Sequence, residues 1–265
     1  MNTRNRVALV TGASAGIGAC FARHLAAEGL DLLLVARREE RLRELATELQ
    51  AAHNIHCHIF AADLTDPKAP EATISYAQQQ GLEIGVLINN AGLSGKDAFA
   101  DRPWPALAAE LQVMIVAVTE LAHRVLPGMK ATGFGRIINL SSLAAFSPPG
   151  AGLLYSAIKS YVLDMSQSLD MELKPHGIHV TALCPGFTYS EFHDVMGIRD
   201  AANKLPGILW QQPDEVVKEA WAAVNGGKPV CVPGTVNKLV AATFRPLPLR
   251  LRYYIGKNMN PFEGA

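Results

Sequence analysis

The stretch VALVTGASAGIGACFARHLAAEG, residues 7–29, decides the architecture. Its first five residues are apolar or β-branched without the alternation of a half-exposed strand, as a strand covered on both faces requires. Three glycines follow, Gly12, Gly16 and Gly18, and an Ala-rich helical period runs from Ile17 to Gly29. A buried strand passing through a glycine turn into a helix opens a parallel crossover unit. The alternation then repeats. Strand-like DLLLVA (31–36) precedes the charged amphipathic REERLRELATELQAA (38–52), and IHCHIFAAD (55–63) precedes a helical segment over 67–80 with a proline near its start. IGVLINNAG (84–92) reads as a fourth strand, followed by a long helix from about Pro103 to Leu126. RIINLSS (136–142) is a fifth strand, residues 152–174 a helix, and IHVTALCPG (178–186) a sixth strand. A loop-rich stretch to Gln212, a helix from about Pro213 to Val224 and a short strand in KPVCVPG (228–234) complete the series. These elements predict a single α/β domain spanning 1–265, with a doubly wound, mostly parallel sheet flanked by helices and no linker or repeat.

The glycine turn carries the first functional implication. Absent Cβ atoms let backbone N–H groups and a helix N-terminus approach a pyrophosphate, and Gly12, Ser14, Ala15, Gly16, Ile17 and Gly18 are the candidate cradle. The spacing G-x-x-x-G-x-G departs from the G-x-G-x-x-G fingerprint of dinucleotide sites, so a generic glycine-rich turn is the alternative. The strand before and the helix after supply the context such a site needs. The second strand ends at Ala36, followed by Arg37 and Arg38, where an adenosine ribose would lie. An acidic residue there accepts from a 2′-hydroxyl, whereas guanidinium groups suit a 2′-phosphate by charge and bidentate geometry. Arg37 and Arg38 therefore point to NADP(H) rather than NAD(H); their other reading is the start of a charged helix.

Composition excludes several classes. Hydrophobic residues make up 49% of the chain and charged residues 18%, enough for a sizeable core and outside the disordered range. Lys plus Arg equal Asp plus Glu at 24 each, so no global field favours nucleic acid or an anionic membrane. Cys20, Cys57, Cys184 and Cys231 are widely spaced without a C-x-x-C pair, and free thiols are expected. The start lacks a signal-peptide pattern, and no apolar run approaching the roughly 20 residues of a membrane helix is evident. A cytoplasmic protein without an integral membrane span is the expectation.

Tyr155 stands four residues before Lys159, on one face of a helix. Alone, that pair reads as a packed ring and a lysine stem lying on apolar surface. In order with TGASAGIG, the Asp63 of ADLTD, NNAG at 89–92, the Ser142 of NLSS, YSAIK at 155–159 and PGFTYS at 185–190, it makes the sequence resemble the short-chain dehydrogenase/reductase family over about residues 5–235. The resemblance implies a Rossmann-type domain with a seven-stranded sheet and a cofactor at the carboxyl ends of the strands. It implies an NADP(H)-dependent oxidoreductase that interconverts a small-molecule carbonyl and an alcohol by hydride transfer. Tyr155 would be the general acid in reduction and the general base in oxidation. Lys159 would lower the phenol from its ordinary pKa of about 10 and hold the nicotinamide ribose, and Ser142 would donate to the substrate oxygen. Ser141 reads as structural. By the same resemblance Asp63 and Leu64 sit by the adenine, and Asn90, Ala91 and Gly92 line the cofactor cleft. Pro185 and Gly186 turn beside the nicotinamide, with Thr188 in reach of its carboxamide. Members commonly associate through helices near 103–126 and 152–174, so a homodimer or homotetramer is expected.

One departure counts against turnover. Met114 stands where the family usually has an Asn that holds a water of the proton relay from the lysine, and a thioether is only a weak acceptor. The alternative is thus a non-catalytic NADP-binding regulatory or interaction protein of the same fold. Substrate recognition is expected from loops about 94–99, 146–152 and 187–212, where Phe146, Phe187, Phe192, Met196 and Trp210 would favour a hydrophobic substrate. His56 and His58 share a strand face, but two ligands without a third make no metal site, and no metal is expected. The extension over about 235–265 carries Arg245, Arg250 and Arg252, which suit an arm packing on the domain or a sister subunit, or a peripheral membrane contact.

Overall fold

The computed structural model describes residues 6–95, 99–148, 154–191 and 206–258. Strands β1 (Val7–Thr11), β2 (Asp31–Ala36), β3 (Cys57–Ala61), β4 (Ile84–Asn89), β5 (Gly135–Leu140) and β6 (Ile178–Leu183) alternate with helices α1 (Gly16–Ala27), α2 (Glu39–His53), α3 (Ala69–Gln79), α4 (Trp104–Leu111), α5 (Ala117–Thr132) and α6 (Tyr155–Leu173). After β6 come two short strands, β7 (Phe187–Thr188) and β8 (Trp210–Gln211), then α7 (Pro213–Asn225), β9 (Val230–Cys231), α8 (Thr235–Phe244) and α9 (Leu249–Asn258).

The main sheet has seven strands in the order β3-β2-β1-β4-β5-β6-β9, all parallel. β1 is buried along its whole length because successive side chains enter two different cores. Ala8 and Val10 join Leu32, Leu34 and Ile88 beneath residues of α1, α2 and α7. Val7 and Leu9 join Leu33, Val35 and Leu87 beneath α3, α5 and the end of α6. Strand order reverses between β1 and β4, which opens a crevice at their carboxyl ends, the place where open α/β sheets bind ligands.

Three features depart from the sequence reading. The long helix does not stop at Leu126: α4 runs through a π-helical turn, Gln112–Val116, into α5 and passes Pro127 as far as Thr132. The face that buries Val125 and Met129 against the sheet continues beyond the proline, and this packing outweighs the backbone hydrogen bond Pro127 cannot make. The same helix corrects the expectation about apolar runs, since Trp104–Thr132 spans 29 residues and contains an 18-residue window with a mean hydropathy of 1.5, enough by length and composition to cross a membrane. Here it is the crossover between β4 and β5, with Leu121, Ala122, Val125 and Met129 in the core. Finally, the stretch read as loop contains β7 and β8, which pair in parallel as a separate two-stranded sheet.

The extension folds back onto the domain. Arg252 of α9 donates to the carbonyls of Phe146 and Ser147 at 3.4 and 3.0 Å. All four cysteines are free thiols, Cys184 and Cys231 buried. His56 lies exposed at the mouth of β3, 3.6 Å from Asp31, and among the described residues no group of three or more His, Cys, Asp or Glu could hold a metal.

Candidate functional site

The glycine turn is braced from β4. The Thr11 hydroxyl at the end of β1 donates to the Ile88 carbonyl at 3.2 Å and accepts from the Asn90 and Ala91 N–H groups at 3.0 and 3.1 Å. The Asn90 side-chain amide donates to the carbonyls of Thr11 and Gly12 at 2.9 and 3.2 Å. Gly12 and Gly16 take φ of 64° and 54°, and a Cβ at Gly18 would lie 2.2 Å from the Gly12 carbonyl oxygen. Only this glycine pattern therefore permits the turn. Helix α1 begins beyond it with Ala15 as an uncapped N-terminal residue and no acid in its first turn, which leaves the positive end of the helix open to an anion. This cradle fits a pyrophosphate. Arg38, the residue before α2, donates from Nε and Nη2 to the Ser14 hydroxyl at 3.2 and 3.0 Å, so its guanidinium lies at the rim of the cradle. Arg37 is exposed and makes no side-chain hydrogen bond among the described residues.

A second group of residues gathers at the carboxyl end of β5. Ser142, just beyond that strand, caps a short 3-10 turn over Leu143–Ala145 by accepting from the Ala144 N–H at 3.1 Å. Its hydroxyl acts on the phenol of Tyr155, the first residue of α6, and pulls the phenol's pKa down. Lys159, one helical turn on, is 4% exposed; its Nζ donates to the Leu140 carbonyl at 2.7 Å and lies 5.5 Å from the Tyr155 ring centroid. Ser141 is structural as expected, its hydroxyl donating to the Lys159 carbonyl at 2.7 Å and tying α6 to β5.

The electrostatics differ from the sequence expectation. Burial pushes the Tyr155 phenol up to about 12, against the opposing pull of the Ser142 hydroxyl, and burial brings Lys159 down to about 8. Desolvation disfavours the charged form of each group, and the Lys159 ammonium is engaged by the Leu140 carbonyl.

The remaining expected residues fall around the same crevice. The Asp63 carboxylate accepts from the Thr65 N–H at 3.0 Å in an exposed turn after β3, and Leu64 is buried beside Met114 and Ile158. Ala91 and Gly92 continue from the brace at β4, Gly92 exposed. The Pro185 carbonyl accepts from the Leu143 N–H at 2.8 Å, which links the 185–186 turn to the Ser142 segment. The Thr188 hydroxyl donates to the Gly186 carbonyl at 3.2 Å. Phe146 belongs to the core rather than to a substrate surface: it is 5% exposed and packs with Leu163, Cys184 and Ala241. Phe187, Tyr189 and Trp210 form an aromatic cluster, with ring centroids 5.6 Å apart for Phe187–Trp210 and 4.8 Å for Tyr189–Trp210. Phe192 and Met196 lie outside the described residues.

Sequence reasoning missed the supports. Asn89 donates to Asn139 at 2.9 Å and Asn139 to Ser166 at 3.0 Å, a buried polar chain that fixes β4, β5 and α6 relative to one another. Glu110, fully buried on α4, accepts from the Gly95 N–H and from Arg102, each at 2.8 Å, and so holds the loop after β4. A Glu within an apolar helical run was the available signal.

A family model for short chain dehydrogenases matches residues 6–197. Sulfoacetaldehyde reductase 2 of Chromohalobacter salexigens is 34% identical over 194 residues, covering 70% of this chain and 74% of its own length. Among solved structures, a short-chain dehydrogenase from Sphingobium yanoikuyae in complex with NADPH is 32% identical, covers 92% of this chain and 96% of its own, and superposes with a TM-score of 0.80. A bulky-bulky ketone specific alcohol dehydrogenase from Comamonas testosteroni is 32% identical with a TM-score of 0.75, covering 90% of this chain and 92% of its own.

Proposed function

The chain belongs to the short-chain dehydrogenase/reductase family of oxidoreductases, and from that premise we propose that it is an NADP(H)-dependent enzyme interconverting a hydrophobic carbonyl compound and its alcohol. The observation that carries this reading is Ser142 acting on the Tyr155 phenol with buried Lys159 one turn along α6, at the same carboxyl edge of the sheet as the glycine cradle. When bound, the reduced nicotinamide supplies a hydride to the carbonyl carbon. A substrate oxygen accepting from both Ser142 and Tyr155 receives its growing charge where two donors already converge. The Tyr155 O–H bond then breaks, its proton passes to that oxygen, and the phenolate left behind is stabilised by the Lys159 ammonium. A phenol held neutral up to about pH 12 is protonated throughout the physiological range, the state a general acid in carbonyl reduction needs.

Arg38 supports a 2′-phosphate-bearing coenzyme, since a guanidinium at the end of β2 and at the rim of the cradle meets phosphate where an acid would repel it. The matched relatives' names range from a sulfonated aldehyde to bulky ketones, so the substrate class is argued from the chain itself. Phe187, Tyr189 and Trp210 cluster just beyond the Pro185–Gly186 turn and suit an apolar carbonyl. A homodimer or homotetramer belongs to the same reading.

Met114 favours a second reading, a non-catalytic NADP-binding protein, because the thioether is 1% exposed in an apolar cluster where the family pattern has an amide. One experiment separates the two. Purified protein is mixed with NADPH and a panel of small charged and bulky apolar carbonyls, and NADPH consumption is followed. The enzyme reading expects turnover of apolar members, lowered by about 10²–10⁴-fold in Tyr155→Phe with NADPH binding retained. Tight NADPH binding with no turnover of any carbonyl supports the binding protein, and turnover confined to small charged carbonyls removes the apolar-substrate claim.

A further inference from the structure

Two arginines of α2 and its start share one carboxylate. Glu191, two residues after Tyr189, accepts from Arg38 Nη1 at 2.9 Å through Oε2. The same carboxylate accepts from Arg41 Nη1 at 2.8 Å through Oε1 and 3.1 Å through Oε2. Arg38 meanwhile keeps its other edge on Ser14 of the glycine turn. The residue before Glu191 lies against the cradle itself, since a Cβ on Gly16 would come within 2.9 Å of the Ser190 Cβ. A chain segment from the far side of the crevice thus brings an anion to the end of β2.

We infer that Glu191 occupies the 2′-phosphate subsite as an internal carboxylate, that Arg41 is a second ligand of that subsite beside Arg38, and that Glu191 thereby tunes how strongly the protein prefers a phosphorylated coenzyme. The inference rests on the NADP(H) reading above. Chemistry supports the exchange of one anion for the other. Both guanidiniums and the carboxylate are about half exposed, so each ion pair contributes little and is readily replaced. A phosphate brings nearly two negative charges and three acceptor oxygens to the same donors, so it outcompetes a single carboxylate. The two arginines also hold the Glu191 carboxyl below its ordinary pKa, which keeps it ionised and attached until a stronger anion arrives. A coenzyme without the phosphate has no anion at the 2′ position to exchange for the Glu191 carboxylate, and leaves the Glu191 pairs in place.

The test is equilibrium binding, by calorimetry or nucleotide fluorescence at fixed ionic strength, of NADPH, NADH and adenosine 2′,5′-bisphosphate. Wild-type protein is compared with Glu191→Gln, Arg41→Ala and Arg38→Ala. Glu191→Gln is expected to bind NADPH and the bisphosphate about fivefold more tightly, with NADH affinity unchanged. Arg41→Ala is expected to weaken both phosphorylated ligands by about tenfold and to leave NADH unchanged. Unaltered NADPH affinity in Glu191→Gln overturns the inference while the coenzyme reading stands, provided wild type prefers NADPH and Arg38→Ala abolishes that preference. Equal tightening of NADPH and NADH also overturns it, because removal of Glu191 would then act on the cleft in general. Wild type binding NADH as tightly as NADPH, with Arg38→Ala altering neither, sinks the coenzyme reading and the inference together.

Discussion

Tyr155 and Lys159 lie one turn apart, yet burial moves them in opposite directions, the phenol up to about 12 and the ammonium down to about 8. Burial disfavours the charged form of each, and the charged forms are the phenolate and the ammonium. Below about pH 8 the pair is therefore a neutral phenol beside a cation, the state needed to give up a proton and stabilise what remains. Above about pH 8 the phenol is still protonated but the lysine has lost its charge. For carbonyl reduction, kcat/KM should be level from pH 6 to about 8 and then fall about tenfold per pH unit, as measured by NADPH consumption with a reactive ketone. Lys159→Met should lower the plateau by about 10²-fold and abolish the falling limb. A rate that climbs between pH 8 and 10 would assign the profile to another group. The i, i+4 spacing of these residues is legible in the sequence because helical geometry is local. The upward shift of Tyr155 is not, since it comes chiefly from burial against residues distant in sequence, such as Leu64 and Met114.

Helical elements show the same divide. The apolar period around residues 104–132 marks a helix, but the widened turn at Gln112–Val116 and the passage through Pro127 follow from packing on the sheet. Met114 sits in that widened turn with Leu64, Ala69, Val113, Ala117 and Ile158 around it, Tyr155 packing at the edge of the cluster. An Asn there would carry an amide into apolar surroundings, and an unpaired buried amide costs about 1–3 kcal/mol. Met114→Asn should lower the stability measured by urea denaturation by about that amount, whereas Met114→Leu should cost less than about 1.5 kcal/mol. A water recruited by the new amide would link Lys159 to solvent, so Met114→Asn should also change kcat or its pH profile. Identical profiles for the two proteins would retire the idea that a relay is missing. β7 and β8 escaped the sequence reading for a simpler reason: two-residue strands have no period, and their pairing joins positions 187 and 210, far apart in the chain.

At the scale of the whole molecule, the strands of the main sheet were legible because each buried parallel strand is a short apolar run between helical periods, whereas their order was implied only by the family resemblance. The site was legible in part: the cradle and Ser142 follow the ends of β1 and β5, and Tyr155 and Lys159 share the first turns of α6, which packs on β5. The Asn89–Asn139–Ser166 chain and the Glu191 ion pairs join positions with no local signature. Burial also marks what the fold leaves uncovered. On the face where α5 meets α6, the Thr119 and Tyr161 hydroxyls share a hydrogen bond of 2.9 Å, while Val116, one turn before Thr119, is 44% exposed and Tyr161 is 39% exposed. Apolar surface on two long adjacent helices suits a second copy of this chain, which would present the same patch about a two-fold axis. Sedimentation velocity should therefore find a dimer or tetramer at micromolar concentration. Val116→Arg should weaken the association at least about tenfold, because two like charges would face each other across the axis. A wild-type protein that sediments as a monomer at every concentration would leave that surface without the partner proposed for it.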